Sequence, residues 1–136
     1  MAAGYSGTPL GQKLGVKAGH SVVLIDAPPN FESELAPLPA EVRIAADRKP
    51  GTNVLLAFFT STAALAGCFS ELAADLQPNG GLWIAWPKKS SGLATDLTES
   101  QVRETGLRAG LVDNKVCAID ETWSGLRFVH RLKDRR

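Results

Sequence analysis

Cysteine, histidine, methionine and tyrosine are scarce in this chain: its 136 residues include two, two, one and one of them. Cys68 and Cys117 stand in apolar contexts without C-x-x-C spacing, so neither a disulfide framework nor a zinc ribbon is indicated, and both read as reduced core residues. His20 and His130 lie far apart and lack the neighbouring ligands of a zinc or facial-triad motif; no metal site is expected. No serine occupies G-x-S-x-G, and neither histidine is placed as its base, which argues against a hydrolase triad. The Walker pattern G-x-x-x-x-G-K-[ST] is also missing.

Charge of one sign is missing too. A formal net charge of +1 gives no global reason for a polyanionic partner, and no specific nucleic-acid binding is expected. Residues 127–136 carry four arginines and one lysine against one aspartate, a short basic segment that reads as a solvated terminus. No apolar run approaches the roughly 18–20 residues of a spanning helix, and residues 1–15 contain no signal-peptide run. A cytoplasmic protein with no membrane partner is the expectation. What is present, 44% hydrophobic and 21% charged residues, suits a single compact α/β domain over residues 1–136.

The apolar runs are short and separated by turn residues. Thr8-Pro9 caps a short helix that Gly15 stops. Residues 20–25, with Val22, Val23, Leu24 and Ile25, form an interior strand, ended sharply by Asp26-Ala27-Pro28-Pro29. Residues 31–36 make one or two helical turns capped by Asn30, and 41–46 a weaker edge strand. Residues 53–59 form a second strong strand. A helix begins at Thr60 or Ser61, with Leu65, Cys68, Phe69, Leu72 and Leu76 on its apolar face. Pro78-Asn79-Gly80-Gly81 stops that helix.

Residues 82–87 read as a buried strand, 88–96 as a polar loop. Thr98 and Gln101 match a capping box, with Leu97 and Val102 as its staple, for a helix reaching about Ala109. Residues 115–119 and 126–131 form two strands whose short link requires an antiparallel hairpin and leaves Trp123 in the connection. These elements assemble into a reduced Rossmann-like three-layer sheet in the order 2-1-3-4-6-5, with an antiparallel C-terminal hairpin. The 41–46 strand is open to two readings: a parallel strand with an extended return, or an antiparallel one.

In such a sheet, ligands sit at the carboxyl ends of the strands. That rim gathers Asp26, Ser61, Trp86, Lys88, Lys89, Ser90, Ser91 and Asp96 as candidate ligand-binding residues. Lys88 and Lys89 offer charge to a phosphate or carboxylate, while Ser90, Ser91 and the helix start at Ser61 offer hydroxyl and amide donors. An alternative reads 87–92 as a solvated loop. Asp26 and Asp96 are a candidate acid and base pair if the rim brings them together. Trp123 and Arg127 are candidate partner-binding residues, in a homodimer or another interface, and Asp120 and Glu121 are candidate counter-ions of Arg127.

From residue 53 the order strand, helix, strand, helix, hairpin, with Gln77-Pro78-Asn79-Gly80-Gly81 before a strand, resembles the carboxyl half of class I S-adenosylmethionine-dependent methyltransferases. The resemblance implies a glycine-rich turn after the first strand, where this chain has Asp26-Ala27-Pro28-Pro29, and an acidic ribose ligand at the second strand end, for which Asp47 is the nearest residue. The stretches GYSGTPL at 4–10, AWPKKSSG at 85–92, DLTE at 96–99 and VDNKVCAIDETWSGLRFV at 112–129 are similar to an uncharacterised, largely actinobacterial family of small proteins, which implies no catalytic residue and no known cofactor. Three functions follow as expectations: a domain binding a small anionic metabolite or nucleotide without catalysis, a protein-interaction or homodimerisation module, and an S-adenosylmethionine-dependent transferase.

Overall fold

The two strongest apolar runs form neighbouring parallel strands at the centre of a mixed sheet. In the computed structural model, which describes residues 8–135, β1 (Ser21–Ile25) lies beside β3 (Thr52–Phe58), with Val22 opposite Val54 and Leu24 opposite Leu56. β2 (Arg43–Ala45) pairs with the outer side of β1 and β4 (Leu76–Pro87) with β3, both in parallel. β6 (Trp123–His130) runs antiparallel between β4 and the edge strand β5 (Leu111–Ala118). The order is β2-β1-β3-β4-β6-β5, as expected, and β2 resolves the open alternative in favour of the parallel reading.

A parallel β2 must return to the opposite end of the sheet through residues 46–51 alone, far fewer than a helical crossover uses. Arg48 makes this possible. Its guanidinium grips the buried Asp75 carboxylate at 2.7 and 3.3 Å and reaches Glu71 at 3.5 Å, both on α2 (Thr62–Asp75). The return is therefore held along α2 by a fork of charge-assisted hydrogen bonds, stronger than neutral ones.

Alternation along the strands sends side chains into two cores. Leu55, Leu82, Ile84 and Phe128 meet α2 and α3 (Glu99–Arg108), with Phe69 and Phe128 edge to face at 5.2 Å. On the other face, Leu56, Phe58 and Trp83 meet α1 (Leu10–Lys13) and a 3-10 turn over Phe31–Leu35. A four-residue helix has little packing of its own, and hydrogen bonds fix it. Trp83 Nε1 donates to Leu14 O at 3.0 Å, Lys13 Nζ to Ala118 O at 3.2 Å, and Lys115 Nζ to Lys13 O at 3.1 Å.

The capping box at Thr98 and Gln101 is formed. Three boundaries differ from the sequence reading. Residues 78–81 do not separate α2 from the next strand: Leu76 is already extended, and β4 bulges, with Thr52 opposite Leu76 and Val54 opposite Gly81. β5 starts at Leu111, so Asp113 sits within a strand and is gripped by Arg103 at 2.9 Å. β6 starts at Trp123, because Asp120 Oδ1 accepts the Thr122 and Trp123 amides and closes the turn tightly. Trp123 is accordingly a buried strand residue, edge to face with Phe58 at 5.0 Å, and not part of the connection.

Gly106 of α3 lies against the Phe128 ring, where a Cβ would come within 2.6 Å of Cζ. Gly106→Ala gains about 1 kcal/mol of helix propensity but overpacks that ring at a cost of about 1–3 kcal/mol. Urea denaturation is expected to show a net loss of stability, and a variant as stable as the parent would mean that α3 can lift off the sheet without cost.

Candidate functional site

The carboxyl end of β1 opens into a cleft of about 720 Å³. Its floor is apolar, from Leu24, Phe31, Ile44 and Ala45, and its mouth carries Asp26 and Glu32. The backbone at Asp26 takes φ 56°, a left-handed conformation that ordinarily selects glycine and that Asp and Asn tolerate best. The chain thus makes its sharp exit from β1 without the glycine that the methyltransferase resemblance implies. Pro28 forms part of the wall, whereas Asp47 is exposed beyond it and does not line the cleft.

Ser61, Lys88, Lys89, Ser90, Ser91 and Asp96 do not line this cleft either. The fold gathers several of them at the start of α2 instead. Asp96 accepts Thr62 N at 2.8 Å and Thr62 Oγ1 at 3.1 Å, and Ser61 Oγ accepts Ala64 N at 3.1 Å. Thr95 Oγ1 donates to Thr60 O at 2.6 Å. A helix N-terminus attracts anions because its first amides are unpaired and carry the positive end of the dipole. Here the chain's own carboxylate meets that demand, and the 88–96 loop is docked by it. Ser91 Oγ is turned inward as well, donating to Lys88 O at 2.7 Å and accepting Leu93 N at 3.1 Å. Lys89 and Ser90 are exposed, Lys88 is partly so, and Trp86 is buried in the α2 core.

The carboxyl pair at this rim is one that the sequence does not flag. Asp96 is engaged with Thr62, while Glu34, on the 3-10 turn, meets Asp120 of the β5–β6 turn. Crowding by the protein, then the Asp120 charge and a hydrogen bond to it, push the Glu34 carboxyl from 4.5 up to about 6. Two residues so distant in sequence share no motif; only the hairpin's return to the carboxyl rim brings them together.

Arg127 lies in mid-β6 with its side chain directed to Gly81, away from the turn that holds Asp120 and Glu121, and they are not its counter-ions. It pairs across the ladder with Trp83, and its side chain covers Gly81. Burial raises the Cys117 thiol above its ordinary range, as befits an inert cysteine, and Cys68 and Cys117 are both free. No cluster of three or more metal-ligating side chains occurs among the described residues, and no helix there is long and apolar enough to cross a membrane. Residues 4–7 of the GYSGTPL stretch fall outside the described residues.

No protein-family model matches the sequence, and no curated protein sequence matches it, so the resemblance to a small actinobacterial family rests on the quoted stretches alone. Solved structures do match the fold. A possible exported protein from Bordetella parapertussis superposes with a TM-score of 0.64 at 12% identity, over 90% of this chain and 66% of the other. An S-adenosylmethionine-dependent methyltransferase from Aquifex aeolicus gives 0.59 at 14% identity, over 86% and 85%. Magnesium protoporphyrin IX methyltransferase from Synechocystis PCC 6803, with bound S-adenosylmethionine, gives 0.59 at 10% identity, over 90% and 74%. The chain has a class I methyltransferase-like fold.

The Glu34–Asp120 contact has a signature in pH. An acid whose pKa is higher folded than unfolded binds more protons when folded, so its contribution is full below 4.5 and fades as pH rises through about 6. The melting temperature of the parent chain, taken relative to Glu34→Gln, is therefore expected to fall across that window. Parallel curves for the two proteins would mean that neither burial nor Asp120 raises the Glu34 carboxyl in solution.

Proposed function

We propose that the chain binds a nucleotide-like ligand of the S-adenosylmethionine type in the cleft at the carboxyl ends of β1 and β2. The observation that carries this reading is the position of the cleft: it opens where β1 ends, next to the point at which the connections leave opposite faces of a 2-1-3-4 sheet. In the Synechocystis enzyme a chain of the same fold holds S-adenosylmethionine.

The cleft's own chemistry selects among nucleotide-like ligands. Among the described residues its walls contain two carboxylates, Asp26 and Glu32, and no lysine, arginine or histidine. Such a site repels phosphates and suits hydroxyl groups, an amino group or a sulfonium cation, all of which S-adenosylmethionine presents. The apolar floor suits a flat base. Asn30 adds an amide that both donates and accepts. A transferase is the second reading, favoured over a purely noncatalytic anion binder because the expected anion donors at Ser61 and Ser91 are engaged within the chain. The interaction-module reading loses its anchor, since the Trp123 ring is packed in the core.

Calorimetric titration of the full chain with S-adenosylmethionine and S-adenosylhomocysteine tests the reading. Saturable binding is expected, weakened about tenfold or more by Ala46→Trp, which fills the mouth from an exposed position without touching the core. ATP is expected to bind this cleft far more weakly. Absence of binding by both sulfur compounds, or binding indifferent to Ala46→Trp, would overturn it.

A further inference from the structure

A second recess, of about 650 Å³, opens at the opposite, amino-terminal rim of the parallel strands, and its charge is the reverse of the first. Lys17, His20, Arg127 and Arg135 line it, and none of the described residues lining it is acidic. Neither Lys17, Arg127 nor Arg135 forms an ion pair among the described residues, whereas Arg48, Arg103 and Arg108 each hold a carboxylate. Arg127 is the revealing member. It is about half-buried, and burial first, then Arg135, push its pKa down, so the fold holds a guanidinium where its charge is disfavoured. Burying an arginine beside a second one, with no counter-ion among the described residues, costs stability.

The surroundings of Arg127 are shaped to hold it there. Gly81 leaves its α-carbon bare, and a Cβ on it would lie 2.8 Å from the Arg127 Cζ and 2.7 Å from Nη2. The guanidinium thus lies across β4 where any other residue would displace it. The bulge at 77–80 that sequence reading takes for simple punctuation forms one lip of the recess, through Gln77 and Asn79. Asn53 is fixed by accepting Ser21 N at 2.8 Å through Oδ1, which leaves its amide N–H groups as donors. Arg135 is held by its Nε donating to His130 O at 2.8 Å, with the rest of the fork uncommitted. His20 accepts Lys17 N at 3.0 Å through Nδ1, so a neutral ring carries its proton on Nε2.

We propose that this amino-rim recess binds the phosphate group of a small phosphorylated metabolite, with Arg127 and Arg135 as its principal ligands. Two guanidinium forks with amide and imidazole donors around them match a tetrahedral oxyanion carrying more than one negative charge, better than they match a single carboxylate. The volume exceeds what one phosphate fills, leaving space for the group that carries it. The site lies apart from the carboxyl-rim cleft and does not depend on what that cleft binds.

Titration of the full chain with inorganic phosphate and with pyrophosphate, followed by calorimetry and by thermal melting, tests it. Saturable binding of at least one probe is expected, weakened about tenfold to a hundredfold by Arg127→Gln and by Gly81→Ala, and less by Arg135→Gln. Pyrophosphate binding more tightly than phosphate would place two phosphate groups in the recess, and the reverse order one. Arg127→Met guards against a variant that simply misfolds: in phosphate-free buffer it is expected to melt at or above the parent temperature while losing the ligand-induced rise. The proposal is overturned if neither probe binds, if Arg127→Gln binds as the parent does, if Arg127→Met melts well below the parent without ligand, or if the double change Lys88→Gln with Lys89→Gln abolishes binding that Arg127→Gln leaves intact.

Discussion

Everything in this fold is fitted around β4, the strand that must satisfy a parallel neighbour on one edge and an antiparallel one on the other while buried on both faces. From Gly80 to Pro87 every residue is buried. Its backbone groups are shared between β3 and β6, which removes the cost of taking them out of water. Ile84 and Trp86 supply one core and Trp83 the other, and the Trp83 indole also holds α1 in place through Leu14. The short helix and 3-10 turn suffice on the second face because bulky aromatic rings fill it: Phe31, Phe58 and Trp123 stack edge to face in sequence, with both centroid spacings at 5.0 Å.

That arrangement leaves two rims with opposite electrostatics. At the carboxyl rim, acidic groups gather: Asp26 and Glu32 at the cleft mouth, Glu34 and Asp120 beside one another. The positive end of α2 there is answered internally by Asp96 and that of α3 by its own capping box. At the amino rim, uncompensated arginines gather around a glycine. A net charge near zero conceals this division, because opposite charges at the two ends of a sheet cancel in the sum but not in the local field.

Strand order was legible because the apolar runs and proline or glycine breaks in this chain leave few topologies open, and the short final link required a hairpin. The boundaries that were misread share a cause. Pro78, Asn79 and Gly80 favour turns, yet here they form a strand bulge because Leu76 is already paired to Thr52. Trp123 followed a polar triplet and looked like loop, but the Asp120 side chain completes the turn three residues earlier than the composition suggested. The candidate site was legible only as a location. Hydroxyls and carboxylates have the same letters whether they face a ligand or a neighbouring amide, so Ser61, Ser91 and Asp96 could not be recognised as already committed. Composition could not show either that the turn after β1 is made at Asp26, with φ 56°, in place of a glycine.

The gap over Gly81 has a consequence for how this sequence can change. A side chain at 81 and the guanidinium at 127 compete for one volume, so any residue other than glycine at 81 moves that guanidinium from where it lies. The arginine can be shortened while the glycine stays, whereas a methyl group at 81 must swing the flexible guanidinium aside. The dependence runs one way: homologous chains that hold an arginine fork in this place should keep the glycine, whereas those with a shorter residue at 127 are released from it.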